Sequence, residues 1–270
     1  MLGRTPALLA SGRHDRAFFR ALWEALQTQG FWSGEIWNRR RDGSVMANWM
    51  SINAVRGPSG GVEAYVGLFH DITALKVGEA ELRRAALFDP LTGLGNRVLL
   101  QDRLEQALAR SQRNGTLLAV AMMDLDGFKP INDTYGHAAG DRLLVALAQR
   151  LRQCTREADT VVRPGGDEFV LLLPDLSRPA DAEPLLERLL HAASMPFDDE
   201  AGQLRVSASI GVTFFPQTPP VDGAMLLQQA DHAMYAAKRA GRNRWACWQA
   251  AGEGLCDTPI NRNGLATPPA

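Results

Sequence analysis

Cysteine is scarce in this chain. Its 270 residues hold three, Cys154, Cys247 and Cys256, too few and too scattered for a disulfide framework or a paired-cysteine metal site. They read as reduced bystander thiols of a cytoplasmic protein. An excess of charge of either sign is also missing: 29 Lys and Arg against 30 Asp and Glu leave a formal charge of −1. That balance argues against a broad nucleic-acid-binding face, a polybasic membrane anchor or an acidic tail, but leaves room for a local basic pocket. No DNA or RNA partner is expected. Long apolar runs are absent too. The longest, around Leu117 to Met123 and Phe169 to Leu173, are strand-sized and far short of the roughly 20 residues of a membrane-spanning helix. Near the N-terminus a short apolar stretch is broken by Ser11, Gly12 and Arg13, which is not the layout of a secretory signal. A cytoplasmic protein without membrane insertion is expected.

What is present is ordinary globular composition, 46% hydrophobic and 22% charged, enough for one or two domains with their own cores. Residues 14 to 29 read as a helix, with Phe18, Phe19, Leu22, Trp23 and Leu26 at helical spacing and Gly30 at its end. Glu35 to Arg39, Val45 to Val55 and Val62 to His70 are strand-like, separated by Asp42-Gly43 and by the Gly57 to Gly61 cluster. A helix followed by a three-stranded antiparallel meander is the expectation. Trp23, Trp32, Trp37 and Trp49 fall here and read as core and sheet-face residues.

The run Gly30 to Arg40, then Asp42-Gly43, then Asp71-Ile72-Thr73 resembles the second half of a PAS domain. That resemblance implies an incomplete PAS sheet over residues 1–73, without the helices that wall the family's ligand pocket, so cofactor binding there is not expected. Asp71 or Thr73 would cap the helix that follows. Residues 74–88, with Leu75 and Leu82 one heptad apart, fit a short coiled coil or a solvated connector on pattern alone. Their place between two domains favours a signalling linker helix, which together with the partial PAS segment is expected to govern dimerisation.

Residues 89–249 have α/β texture. Helices are expected over 96–114, 138–156, 180–193 and 223–240, the third with Pro184 awkwardly near its start. Strands are expected over 117–123, 160–163, 169–173, 205–215 and 244–248. The order βαββαβ with added helices implies a mixed sheet with helices on one face. Residues 250–270, rich in Gly, Pro, Asn and Thr, read as a disordered tail.

Chemistry concentrates at two places. In Met123-Asp124-Leu125-Asp126-Gly127, a buried strand runs into two carboxylates that alternation sends to one side. Such oxygens suit Mg²⁺, a hard cation that completes its shell with phosphates, although the pair alone also fits a turn or cap. Gly165-Gly166-Asp167-Glu168 places two glycines in a tight hairpin, leaving no side chain to obstruct a nucleotide, and two acids at once after it on the outgoing strand. If the strands are neighbours, Asp167 lies beside Asp124, and a shared metal would offset their repulsion.

With the acid, glycine and strand pattern in place, residues 89 to 248 resemble a GGDEF domain, the catalytic domain of diguanylate cyclases. The resemblance rests on Asp89 to Arg97, Asp124 to Lys129, Ile131 to His137, Gly140-Asp141, Gly165 to Phe169, Ser209 to Val212, Ala230-Asp231, Tyr235 to Lys238 and Gly241 to Asn243. It implies an α/β (α+β) fold like that of nucleotidyl cyclases and polymerase palms. The implied reaction condenses two GTP into cyclic di-GMP and two pyrophosphates across a homodimer. Asp124, Asp167 and the Leu125 carbonyl would bind Mg²⁺ or Mn²⁺, two ions per site. Asp167 would also accept the hydroxyl proton, supported by Glu168. Asn132 and Asp141 would read the guanine edge. Lys129, Lys238 and Arg242 would neutralise phosphate charge, with His137, Gly165 and Gly166 completing the GTP site.

Arg156-Glu157-Ala158-Asp159 resembles the family's product-inhibition motif for cyclic di-GMP, with Arg188 as a further arginine. Pro164 stands where the family has a large apolar residue, and costs little if its missing N–H faces away from the sheet partner. Gly95, where the family often has proline, reads as benign. The competing function is a non-catalytic cyclic di-GMP receptor. A third reading is a fragment of a longer protein with a following phosphodiesterase domain, for which nothing after Trp248 speaks.

Overall fold

The computed structural model describes residues 5–199 and 202–249. The expected tail and Cys256 lie outside the described residues. The chain divides after Arg84 into two compact units.

In the first unit, α1 (Arg16–Thr28) starts at Asp15, whose carboxylate accepts from Phe18 N at 2.8 Å, and buries Leu22 and Leu26. Gly30, at φ +80°, reverses the chain. The meander is present as β1 (Phe31–Arg39), β2 (Val45–Arg56) and β3 (Val62–Asp71), antiparallel and in that order. Trp23 and Trp49 are about half exposed, 46% and 48%, so neither belongs to the core. Thr73 N donates to Asp71 Oδ1 at 2.9 Å, the expected start of α2 (Thr73–Leu87). Leu75 and Leu82 of α2 are both exposed.

The second unit holds α3 (Arg97–Asn114), β4 (Leu117–Asp126), α4 (Phe128–Tyr135), α5 (His137–Cys154), β5 (Thr160–Gly165) and β6 (Glu168–Leu176). Then follow α6 (Glu183–Ser194), β7 (Phe197–Asp199), β8 (Gly202–Leu204), β9 (Ser207–Phe215), α7 (Gly223–Arg239) and β10 (Arg244–Cys247). The main sheet runs β10-β9-β4-β6-β5, with β9 and β10 parallel and the other neighbours antiparallel. It is mixed, as expected, and puts β4 at its centre.

The helices do not share one face. Along β4, Ala119, Ala121, Met123 and Leu125 enter a core with Leu143, Leu144 and Leu147 of α5 and Leu186 and Leu189 of α6. Leu118 and Val120 enter another with Leu100 and Leu104 of α3 and Leu226 and Ala230 of α7. The apolar run Leu117 to Met123, which does not alternate, carries this information: a strand covered on both faces needs apolar residues at every position. Each fully buried leucine contributes about 1.5–3 kcal/mol relative to exposure. Helix α7 lies so close to β9 that a Cβ on Gly211 would sit 2.0 Å from Ala230 O and Met234 N, and only glycine permits this approach.

Pro184 is not awkward. It occupies the first turn of α6, where its missing N–H has no helical partner to lose. The octapeptide helix α4 and the β7–β8 hairpin went unread in the sequence, being too short for periodicity to separate from loop. Cys154 is a free thiol, but Cys247 is disulfide-bonded, against the expectation of reduced cysteines. No helix of the described residues is long and apolar enough to cross a membrane.

Candidate active site

Strand pairing brings the acids together. Asp124 lies opposite Glu168 across β4–β6 and opposite Ser209 across β4–β9. The β5–β6 hairpin closes on the pair Gly165 and Glu168, so Asp167 sits in the two-residue turn and only Glu168 is on the outgoing strand. Gly166, at φ +58°, takes the first turn position, where the left-handed region favours glycine. Pro164 falls in the irregular stretch between Val162 and Gly165, where the ladder shifts register, so its missing N–H interrupts no paired rung of the β5–β6 ladder.

Lys238 of α7 places its ammonium 2.6 Å from Asp124 Oδ1. Burial, followed by the neighbouring charge of Asp167, nevertheless holds the Asp124 carboxyl above its ordinary range. Glu168 is raised by burial and then by Asp124, Asp167 and Asp231. These acids are short of positive charge. Asp124, Glu168, Asp231, Tyr235 and Lys238 line a cleft of about 480 Å³; Asp231 was not picked out as a site residue in the sequence.

Asp126 has a different task. Its buried carboxylate accepts from Ser207 Oγ and Ser209 Oγ, both at 2.8 Å, and from Asn243 N at 3.1 Å. It joins the end of β4 to β9 and to the turn in which Arg242 and Asn243 both have positive φ. The side chain of Arg242 is 65% exposed, with Nε 3.9 Å from Asp126 Oδ1, which leaves it available to a phosphate.

Gly127, at φ +82°, turns the chain from β4 into α4 without a side-chain cap. The first N–H groups of α4 therefore keep their capacity to bind an anion. Lys129 is exposed in that first turn. Asn132 follows on α4, its Oδ1 buried and without a hydrogen-bond partner. A Cβ on Gly140 would lie 1.9 Å from that oxygen, so the glycine of α5 makes room for the amide. Asp141 is the next residue and is exposed, as is His137 at the start of α5.

The residues expected to hold product gather at the end of α5. Asp159 Oδ2 accepts from Arg156 N at 2.9 Å, forming a local turn. Arg188 of α6 donates to Cys154 O at 3.2 Å, two residues before Arg156. Both arginine side chains are exposed.

The donor set fits a hard divalent cation. Asp124 and Asp167 are close enough to repel, and oxygen ligands of this kind suit Mg²⁺ or Mn²⁺. Among the described residues no three His, Cys, Asp or Glu form a ready-made cage. A cation here would therefore take the rest of its shell from the Leu125 carbonyl and from a bound phosphate.

The sequence reading also passed over Asp89, Arg163, Ser207 and Ser209 as site residues. An arginine inside the apolar strand Thr160-Val161-Val162-Arg163 was the available signal, because a buried guanidinium requires partners.

Comparison with known proteins points to one family. The chain is 45% identical over 179 residues to the bifunctional diguanylate cyclase/cyclic di-GMP phosphodiesterase MucR of Pseudomonas aeruginosa, covering 66% of this chain and 26% of that protein. It is 48% identical over 163 residues to the diguanylate cyclase DgcP of the same organism, covering 60% and 24%. It thus spans about a quarter of each of these curated relatives. Among solved structures, the GGDEF domain of TpbB (YfiN) from Pseudomonas aeruginosa matches at a TM-score of 0.57 and 40% identity, over 60% of this chain and 94% of that one. The coiled coil and GGDEF domain of DgcB from Caulobacter crescentus, in complex with c-di-GMP, matches at 0.60 and 28% identity, over 65% and 93%. Residues 86–244 match the family described as diguanylate cyclase, GGDEF domain, and the chain belongs to that family.

Proposed function

We propose that this chain is a diguanylate cyclase that condenses two GTP into cyclic di-GMP and two pyrophosphates. The observation that carries the reading is the carboxylate site at the β4–β6 junction, where Asp124 faces Glu168 across the ladder, Asp167 stands in the adjoining turn and Lys238 lies 2.6 Å from Asp124. Such a site gains from a divalent cation and a triphosphate together. Asp124, Asp167 and the Leu125 carbonyl would hold Mg²⁺ or Mn²⁺, two per site. When bound, the ions supply charge neutralisation at the triphosphate and activation of the attacking hydroxyl.

The chain's own residues would orient the substrate. Asn132 and Asp141 face the guanine edge, His137 and the unobstructed turn at Gly165 and Gly166 border the nucleotide, and Lys129, Lys238 and Arg242 neutralise phosphates. Asp167, supported by Glu168, accepts the proton of the ribose 3′-hydroxyl. That oxygen bonds to the α-phosphorus of the facing GTP as the bond to pyrophosphate breaks. Two such events close the ring, which requires two half-sites facing each other in a homodimer. Residues 1–73 would act as a partial PAS unit, 74–88 as the linker and 89–249 as the catalytic domain. A reaction that consumes GTP is expected in the cytoplasm.

The test is incubation of the purified chain with GTP and Mg²⁺ and separation of the nucleotides. Cyclic di-GMP is expected from wild type and not from Asp167→Ala. No product at any protein concentration would reject the reading. A receptor role is the second reading, favoured by the separate Arg156, Asp159 and Arg188 group. Tight calorimetric binding of cyclic di-GMP without GTP turnover would select it. If both activities are present, the group is a product-inhibition site.

A further inference from the structure

The hairpin carrying Asp167 is braced from below by a buried arginine. Arg163 is 8% exposed, and its guanidinium is divided between two partners. Nε and Nη2 donate to Gly166 O at 2.9 and 2.7 Å. Nη1 donates to both carboxylate oxygens of Asp89 at 2.9 Å. Asp89 is itself fixed, accepting from Thr92 N at 2.8 Å and Thr92 Oγ1 at 2.5 Å. Burial alone would raise its carboxyl, but the Thr92 and Arg163 donors outweigh burial and hold it below the ordinary range. Backbone bonds run in parallel: Arg163 N donates to Gly95 O at 2.8 Å and Asn96 N to Leu87 O at 2.9 Å. Gly95 bridges Val162 and has no room for a side chain, since a Cβ would lie 2.7 Å from both Leu99 and Val162.

Gly166 is the residue whose left-handed φ sets the turn, and Asp167 is the next residue. The Gly166 carbonyl belongs to the peptide joining them, so whatever holds it fixes the orientation of that peptide plane and the direction in which Asp167 leaves the backbone. A lysine could not do this. Its ammonium is a point charge without the planar fork that spans two partners.

We propose that Arg163 is a positioning residue for the reaction. It acts through the Gly166 carbonyl to hold Asp167 in place, and Asp89 anchors it. The inference rests on the cyclase reading above for its kinetic consequence, but its structural half stands apart from turnover.

The test compares wild type, Arg163→Lys and Asp89→Asn as full chains, by GTP turnover and by amide hydrogen exchange. Displacing a reacting group by about 1 Å lowers rates by roughly 100-fold, so Arg163→Lys is expected to lower kcat by about 10- to 100-fold. KM for GTP should change less than kcat, within about threefold, because the side chains proposed to read guanine and neutralise phosphate, Asn132, Asp141, Lys129, Lys238 and Arg242, lie on other elements. Asp89→Asn weakens the charged anchor of Arg163, which loosens its hold on Gly166 O without removing the donors, so it should lower kcat less. Exchange should quicken in Arg163→Lys at residues 165–168 while α5 keeps its protection. A kcat within twofold of wild type for Arg163→Lys, or slowed turnover with unchanged exchange at 165–168, would overturn the proposal. If Arg163→Lys does not fold, Asp89→Asn carries the test: faster exchange confined to the hairpin supports the brace, and none overturns it. If wild type makes no cyclic di-GMP, the cyclase reading fails, and the exchange comparison alone still decides whether Arg163 holds the turn.

Discussion

Asp126 provides the sharpest separation of scaffold from chemistry, because it stands two residues from Asp124 on the same side of β4. Its carboxylate receives two serine hydroxyls and one backbone N–H. Hydrogen bonds to a charged partner contribute about 1.5–3 kcal/mol each. The two hydroxyls can turn toward other acceptors when Asp126 is removed, whereas Asn243 N cannot. Asp126→Ala is therefore expected to destabilise the second unit by about 3–4 kcal/mol, within the class of broken buried networks. For a unit of this size that is a fall in Tm of about 10 °C, at roughly 2–4 °C per kcal/mol. Asp126→Asn keeps one acceptor oxygen and should lose about half as much. Scanning calorimetry measures this without mixing in the tryptophans of the first unit. The second measurement is the Mg²⁺ concentration giving half-maximal turnover. Asp126→Asn should leave it within about threefold of wild type, whereas Asp124→Asn should raise it more than tenfold, as loss of one good charged contact does. An Asp126→Ala protein as stable as wild type would refute the scaffold role. An Asp126→Asn protein that shares the Mg²⁺ requirement of Asp124→Asn would make Asp126 a ligand.

Gly140→Ala would place a methyl group 1.9 Å from Asn132 Oδ1; overpacking of this kind costs about 1–3 kcal/mol, and titration of initial rates should show KM for GTP rising about tenfold with little change in kcat. Asp89 has a folded pKa below its ordinary value, so its contribution to stability is present above about pH 4 and lost as pH falls through the folded value. Acid unfolding followed by circular dichroism should accordingly be less steep below pH 4 in Asp89→Asn than in wild type. Arg156→Ala should leave initial turnover unchanged and raise the cyclic di-GMP concentration giving half-inhibition at least tenfold, read from rates with added product; an unchanged value would remove Arg156 from the site.

Several elements were plain in the sequence for identifiable reasons. The meander was legible because Asp42-Gly43 and the Gly57 to Gly61 cluster punctuate three strand-like runs, although β1 begins at Phe31 rather than Glu35. Helices α3, α5 and α7 are long enough for their apolar period to stand out. The hairpin at Gly165 and Gly166 followed from two glycines between β runs. Helix placement on both faces of the sheet did not follow from element order, and the unbroken apolar run of β4 was read as burial without its two-sided consequence. Asp126 and Asp124 looked alike, being identical residues in one short motif.

The sequence by itself determined which residue types and spacings were present: paired acids after an apolar strand, a glycine turn before another acid, and the long run of motifs that marks the family. These are local along the chain, and local pattern preserves them. Only the tertiary structure decided what each acid faces. Strand register set Asp124 against Glu168 and within reach of Lys238, turned Asp126 toward Ser207, Ser209 and Asn243, and brought Asp89 to Arg163 across 74 positions of chain. A carboxylate's role depends on the charges and donors within a few ångströms of it, and those neighbours come from distant segments whose meeting no spacing along the chain records.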